Sequence, residues 1–113
     1  MHELSATESI LKIVNEEAAR HNVFKVTKIK IKMGVLSDLL PECINYYFEI
    51  ISKNTVSEDA VIEIEKLPLK IRCNSCNAVS NIGIKHFRCP VCNSQDLKII
   101  GGNEFYIDSM EVE

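Results

Sequence analysis

The sequence predicts an α+β fold in which two helices cover a small three-stranded mixed sheet, with a four-cysteine module inserted before the last strand. Three observations support this fold class. Apolar residues recur at helical spacing in two segments, they alternate with polar residues in three others, and four of the five cysteines fall within residues 70–95. Each predicted element rests on one of these patterns.

Two segments have the spacing of amphipathic helices. The first begins near residue 3 and runs for about five turns. Its apolar stripe contains Leu4, Leu11, Val14 and Ala18, and is widened by Ile10 and Ala19. The second runs from about Pro41 to Lys53, because proline suits the first turn of a helix. Its apolar face contains Ile44, Tyr47, Phe48 and Ile51.

Alternation with a period of two predicts three strands. In the first, Ile29, Ile31 and Met33 alternate with lysines until Gly34 ends the strand. The second covers residues 60–65, before Pro68, and the third runs from Glu104 to Val112. We expect the third strand to return to the sheet that the first two form.

Composition and charge limit the class of protein. With 113 residues, 46% of them hydrophobic, the chain is large enough for one compact core and is neither disordered nor fibrous. Its apolar runs are too short to cross a bilayer, and its first residues lack the basic start and apolar core of a signal peptide. We therefore expect a cytoplasmic protein with no membrane partner.

The charge divides the chain into two predicted domains. Residues 70–95 hold four basic and no acidic residues, whereas residues 1–69 hold eight basic and eleven acidic ones, and residues 96–113 hold one and five. We predict a discontinuous α/β domain from residues 1–69 and 96–113, and a separate module at residues 70–95.

The strongest motif is a pair of Cys-x-x-Cys turns twelve residues apart, which contains Cys73, Cys76, Cys89 and Cys92. Two such turns present four thiolates in the tetrahedral arrangement that Zn²⁺ prefers, and four thiolates leave no open position, so the site is structural. Asn77 and Asn93 follow the pairs and tolerate the left-handed backbone that such turns use. Redox-active thiols and a rubredoxin-type iron site are the alternatives. Cys43 is predicted to be a small buried apolar residue.

The amino terminus offers a second metal site. The amine of Met1, the next backbone nitrogen and the imidazole of His2 can close two chelate rings, an arrangement that suits Ni(II) or Cu(II), with Glu3 as a further donor. The same residues also fit a simpler interpretation, in which His2 is an exposed terminal side chain and Glu3 is a favourable charge at a helix start.

A resemblance favours the metal interpretation. The chain resembles the nickel metallochaperones of hydrogenase maturation, the HypA/HybF family, along nearly its whole length. The resemblance is carried by Met1-His2-Glu3-Leu4-Ser5, Gly34-Val35-Leu36-Ser37, Pro41-Glu42, Ile62-Glu63-Ile64-Glu65 with Pro68, the two cysteine pairs and Gly102-Asn103-Glu104. Glycine commonly follows each cysteine pair of such turns, where this chain has Asn77 and Asn93.

The resemblance implies a carrier without catalytic activity. It implies nickel ligands at Met1, His2 and Glu3, and structural zinc at the four paired cysteines. It also implies that a partner GTPase of the HypB type helps to deliver Ni(II) to the large-subunit precursor of a [NiFe] hydrogenase. Delivery to urease, and whether the chain is a monomer or a homodimer, stay open.

The rival hypothesis is a zinc-ribbon module that binds nucleic acid or protein. The four basic residues Lys70, Arg72, Lys85 and Arg88 are its support, but Phe87 is the single aromatic residue available there for base stacking and the flanking segments are acidic. We therefore predict no nucleic-acid partner, although the basic stretch suits an acidic protein. His86 is either a surface histidine or an auxiliary nickel contact, and His21 is a favourable charge near a helix end.

Overall fold

The computed structural model describes residues 3–113, which form two helices and six strands. In chain order these are α1 (Glu3–Arg20), β1 (Val26–Gly34), α2 (Pro41–Ile51), β2 (Val61–Leu67), β3 (Leu69–Cys73), β4 (Val79–Ile82), β5 (Leu97–Gly101) and β6 (Phe105–Val112). The described chain divides into two compact units. The helical unit contains residues 3–31, 38–65 and 106–113, and the cysteine unit contains residues 32–37 and 66–105.

The predicted fold class is confirmed. Strands β2, β1 and β6 form a mixed three-stranded sheet in that order, and the two helices contact each other. Strand β1 has the expected alternation, since Ile29, Ile31 and Met33 are each at most 1% exposed. It ends at Gly34, as the sequence predicted. Neither helix of the described chain is both long and apolar enough to span a membrane.

The buried face of α1 shares Ile10, Val14 and Ala18 with the predicted stripe but is rotated away from Leu4 and Ala19. It consists of Ala6, Thr7, Ile10, Val14 and Ala18, whereas Leu4 is 40% exposed. The hydroxyl of Thr7 donates a hydrogen bond to the backbone carbonyl of Glu3, so a polar residue is accommodated in the buried row. A search for apolar residues alone does not find Thr7 and therefore places the centre of the stripe too close to Leu4.

Helix α2 begins at Pro41, as predicted, and ends at Ile51, two residues before the predicted end. Ile44 and Phe48 are its buried residues. The backbone N–H of Ser52 still donates to the carbonyl of Phe48, so the last turn closes just after the helix.

The cysteine unit contains a second sheet that the sequence analysis did not predict. Strands β4, β3 and β5 are antiparallel, with Leu69 opposite Ile82 and Cys73 opposite Leu97. A small core supports this sheet: Leu69, Ile71 and Ile82 are buried, with Val35 and Leu97 packed against them.

Two backbone segments of the cysteine unit approach each other closely at Gly34 and Gly102. The N–H of Gly34 donates to the carbonyl of Glu104 at 2.7 Å, and the N–H of Leu36 donates to the carbonyl of Gly102 at 2.6 Å. A Cβ atom at Gly34 would lie 2.0 Å from the carbonyl oxygen of Gly102. Only glycine therefore fits at residue 34.

Candidate metal centres

The structure brings the four paired cysteines together. Cys73 is the last residue of β3, and the turn after it carries Cys76, while a second turn carries Cys89 and Cys92. The four Sγ atoms all lie within 4.8 Å of one another. The Sγ atoms of Cys73 and Cys92 are 3.5 Å apart, and those of Cys76 and Cys89 are 3.6 Å apart.

The two cysteine turns have the same backbone geometry. The N–H of Asn77 donates to the carbonyl of Cys73 at 2.9 Å, and the N–H of Asn93 donates to the carbonyl of Cys89 at 2.8 Å. Both asparagines have positive φ, 62° and 65°. The predicted left-handed residue after each pair is therefore confirmed, and asparagine performs there the role that glycine has in similar turns.

This geometry leads to a test at Asn77. We expect Asn77→Ala to weaken metal affinity about fivefold, because a left-handed conformation costs alanine roughly 1–2 kcal/mol. Asn77→Gly should keep the native affinity, since glycine adopts positive φ freely. Competition against a chromophoric chelator measures both variants, and equal weakening by alanine and glycine would contradict the conformational explanation.

Backbone amides polarise the two buried sulfurs. The N–H of Ser75 lies 3.3 Å from Sγ of Cys73, and the N–H of Val91 lies 3.4 Å from Sγ of Cys89. The amide of Cys76, with that of Ser75, lowers the pKa of Cys73 to about 6 against the opposing effect of burial. The amide of Cys92 is the main cause that lowers the pKa of Cys89.

The other two sulfurs hold their protons more tightly. Although the amide of Ser94 acts in the opposite direction, the neighbouring Cys73 thiol and burial raise the pKa of Cys92 to about 12. The amide of Ala78 lowers the pKa of Cys76, but partial desolvation and the neighbouring Cys89 thiol outweigh it, so that this pKa is also raised. A central cation would let all four sulfurs ionise, so metal binding releases protons and its affinity falls as the pH falls.

The donor set fits a tetrahedral, thiol-binding ion. A metal with bonds of about 2.3 Å to four sulfurs sets the edges of the sulfur tetrahedron at about 3.8 Å. The Sγ–Sγ distances across the two turns, 3.5 Å for Cys73 and Cys92 and 3.6 Å for Cys76 and Cys89, are close to that value. The four cysteines therefore form a metal-binding site that has no position left for a substrate or water.

Hydrogen bonds hold the first turn (residues 73–76) to the chain that follows the second turn (residues 89–92). The side-chain Nδ2 of Asn74 donates to Oδ1 of Asp96 at 3.1 Å, and the hydroxyls of Ser75 and Ser94 are 3.0 Å apart. The backbone N–H of Asn74 also donates to the carbonyl of Asp96 at 2.9 Å. These contacts help to fix the geometry of the sulfurs.

The proposed nickel ligands are only partly within the described chain. Met1 and His2 lie outside the described residues. Glu3 is the first residue of α1, and its Oε2 accepts the backbone N–H of Leu40 at 2.9 Å. Leu40 is the N-cap of α2 and its side chain forms no capping bond, so the Glu3 carboxylate caps that helix from a distant part of the sequence. No sequence signal indicated this contact.

The remaining candidate residues are separate from the sulfur cluster. Nε2 of His21 lies 3.0 Å from Oε1 of Glu17, and His86 is exposed. Cys43 lies on α2 and is partly exposed rather than fully buried as predicted. It is not part of the four-cysteine group.

Comparison with known proteins gives the family. The family model described as "Hydrogenase/urease nickel incorporation, metallochaperone, hypA" matches residues 1–112. This chain belongs to the HypA family. The resemblance found in the sequence is thereby confirmed, and this chain is a metallochaperone rather than an enzyme. Its role in hydrogenase maturation implies interaction with maturation factors.

Curated relatives agree with the family assignment, and a solved structure agrees with the fold. The hydrogenase maturation factor HypA of Caldanaerobacter subterraneus subsp. tengcongensis is 39% identical over 114 residues, and that of Moorella thermoacetica is 36% identical over 113 residues. Each match covers 100% of both chains. The solution structure of the Ni metallochaperone HypA from Helicobacter pylori has a TM-score of 0.70 at 24% identity and covers 99% of this chain and 97% of that one. At that identity, the likeness shows the fold alone.

Proposed function

We propose that this chain carries Ni(II) as cargo at its amino terminus, on the Met1 amine, His2 and Glu3. Together with a GTPase of the HypB type, it would deliver the ion to the large-subunit precursor of a [NiFe] hydrogenase. The observation that carries the proposal is the match of residues 1–112 to a nickel-incorporation family.

The chemistry of the donors supports this assignment. An amine and an imidazole are ligands that suit Ni(II), and both compete with protons because their ordinary pKa values are about 8 and 6.5. Nickel affinity should therefore decrease as the pH falls through this range. Such a site can release its ion, as a carrier requires.

We further propose that the ion at Cys73, Cys76, Cys89 and Cys92 is Zn(II), and that it has a structural role. Zinc is the usual ion of closed sites with four thiolates. The module at residues 70–95 has few large apolar side chains and would depend on that ion for its folding. A cytoplasmic location is part of the proposal, since the cytosol keeps such thiols reduced.

Nickel titration of the zinc-loaded protein tests the carrier function. We expect His2→Ala to weaken nickel affinity at least roughly a hundredfold, because it removes a direct ligand. The matched control is His21→Ala, which removes a histidine that pairs with Glu17 and should leave nickel affinity unchanged. Calorimetry with one equivalent of zinc retained in every variant is the measurement, and equal affinity in the native and His2→Ala proteins would contradict the site.

A further inference from the structure

Residues 84–91 place three large apolar side chains on the surface of the cysteine unit. Ile84 is 54% exposed, Phe87 is 38% exposed and Val91 is 70% exposed. The segment begins after Gly83, where an added Cβ would meet no atom within 4 Å. These three side chains lie within eight consecutive residues, and contiguous apolar patches on a protein surface mark sites that bind other molecules.

Metal binding does not explain these apolar residues. The two cysteine turns are equivalent in backbone geometry, yet the first has Asn74 and Ser75 between its ligands and the second has Pro90 and Val91. The polar pair forms hydrogen bonds to Asp96 and Ser94. The first turn therefore shows that polar residues suffice at these positions, so exposed Val91 calls for another explanation.

The basic residues of this segment indicate the charge of the partner that it would bind. Lys85 and Arg88 are interleaved with the three apolar residues, and the sequence from residue 66 to residue 95 contains five basic residues and no acidic one. Within residues 3–113, neither Lys85 nor Arg88 forms an ion pair. An apolar centre with unpaired cations beside it is complementary to an apolar surface bordered by carboxylates.

We infer that residues 84–91 are a docking surface for another protein, and that they bind an acidic segment of it that also carries apolar side chains. The inference is independent of the proposed nickel site but rests on the proposed zinc site, because Cys89 fixes one end of the segment. Membrane-binding basic clusters place four to eight cations together beside a membrane helix or on an amphipathic helix, whereas residues 84–91 hold two and form no helix. Phe87 is the single aromatic residue of the segment, whereas single-stranded nucleic acids bind to several stacking side chains.

The docking surface should require the metal. Between Ile82 and Cys89, two backbone hydrogen bonds between residues close in sequence order the loop. The N–H of His86 donates to the carbonyl of Gly83 at 3.1 Å, and the N–H of Arg88 donates to the carbonyl of His86 at 2.8 Å. Its far end is fixed by Cys89, one of the four ligands. Loss of the metal would release that end and disperse the apolar residues.

Fluorescence anisotropy with a labelled peptide of mixed leucine and glutamate residues tests the inference. We expect the zinc-loaded protein to bind this peptide, and Ile84→Ser with Val91→Ser to weaken binding about tenfold, since both side chains would lose apolar contact. Lys85→Gln with Arg88→Gln should weaken it about fivefold and reduce its salt dependence. Removal of the metal with a chelator should abolish binding.

Matched controls come from the helical unit. Phe24→Ser changes an 83% exposed aromatic residue, and Lys12→Gln with Lys25→Gln removes two exposed charges, so both should leave binding unchanged. Zinc content, measured for each variant, verifies folding. The inference is overturned if the peptide does not bind, if the variants at residues 84–91 bind it as well as the controls do, or if the metal-free protein binds equally. Preferential binding to anionic vesicles or to a single-stranded oligonucleotide also overturns it.

Discussion

Replacing Cys73 by serine is expected to remove the bound metal and unfold the cysteine unit. Cys73 is completely buried, and it belongs both to β3 and to the sulfur cluster. The apparent free energy of zinc binding in small zinc domains is roughly 10–16 kcal/mol. That is comparable to the whole stability of a typical domain, about 5–15 kcal/mol, so the small core around Ile71 cannot compensate for the loss.

Metal analysis and amide NMR spectra of the purified variant measure this effect. The native protein should contain one zinc ion per chain, and Cys73→Ser should contain much less and lose the dispersed signals of β3, β4 and β5. Cys43→Ser is the matched control, because it removes the cysteine that is not part of the cluster and should keep the zinc. A fully zinc-loaded Cys73→Ser protein would be incompatible with a site of four sulfur ligands.

Gly34→Ala is expected to destabilise the protein by about 3 kcal/mol or more. The added Cβ would meet the backbone of Gly102, with the carbonyl oxygen at 2.0 Å and the carbonyl carbon at 2.2 Å. A backbone cannot move aside as a flexible side chain does, so relief requires breaking the hydrogen bonds of Gly34 and Leu36. Overpacking typically costs 1–3 kcal/mol, and a clash this short belongs at or above the upper end.

Urea denaturation compares this variant with Gly83→Ala. A Cβ at Gly83 meets nothing within 4 Å, so that substitution should change the free energy of unfolding by less than about 1 kcal/mol. If both glycine variants were equally stable, the close approach at Gly34 would not constrain the fold.

The sequence predicts the first sheet and its helices because the spacing of their apolar side chains indicates which residues are buried. Ile29, Ile31 and Met33 alternate with lysines, and Pro41 marks the first turn of α2, so both elements are visible without the structure. The four cysteines are visible for a different reason, since spacing between ligands is itself a property of the sequence.

The second sheet is hidden because its strands are short and their patterns are mixed. In β3 the buried row is Leu69, Ile71 and Cys73, and the last of these also belongs to the metal-binding motif, which obscures the alternation of the strand. In β5, Ile99 is apolar but 49% exposed, so hydrophobicity does not indicate which face is inward.

Contacts between distant residues are also absent from the sequence. Nothing in the local pattern around Glu3 indicates that its carboxylate accepts the N–H of Leu40. Nor does the pattern indicate the approach of Gly34 to Gly102, although both glycines belong to segments that carry the resemblance to the HypA family. Such contacts depend on tertiary geometry, which propensity and periodicity do not encode.

The approach of Gly34 to Gly102 also has a consequence for the rate of folding. The cysteines of the metal site span only residues 73–92, so metal binding closes a short loop. The hydrogen bonds of Gly34 and Leu36 instead join two segments that are far apart along the chain. Closing the longer loop, from residue 34 to residue 102, costs roughly 4 kcal/mol of chain entropy before those contacts are gained. During synthesis, the contacts of residue 34 can therefore form only after residues 102–104 have left the ribosome, and excess zinc cannot shorten that delay.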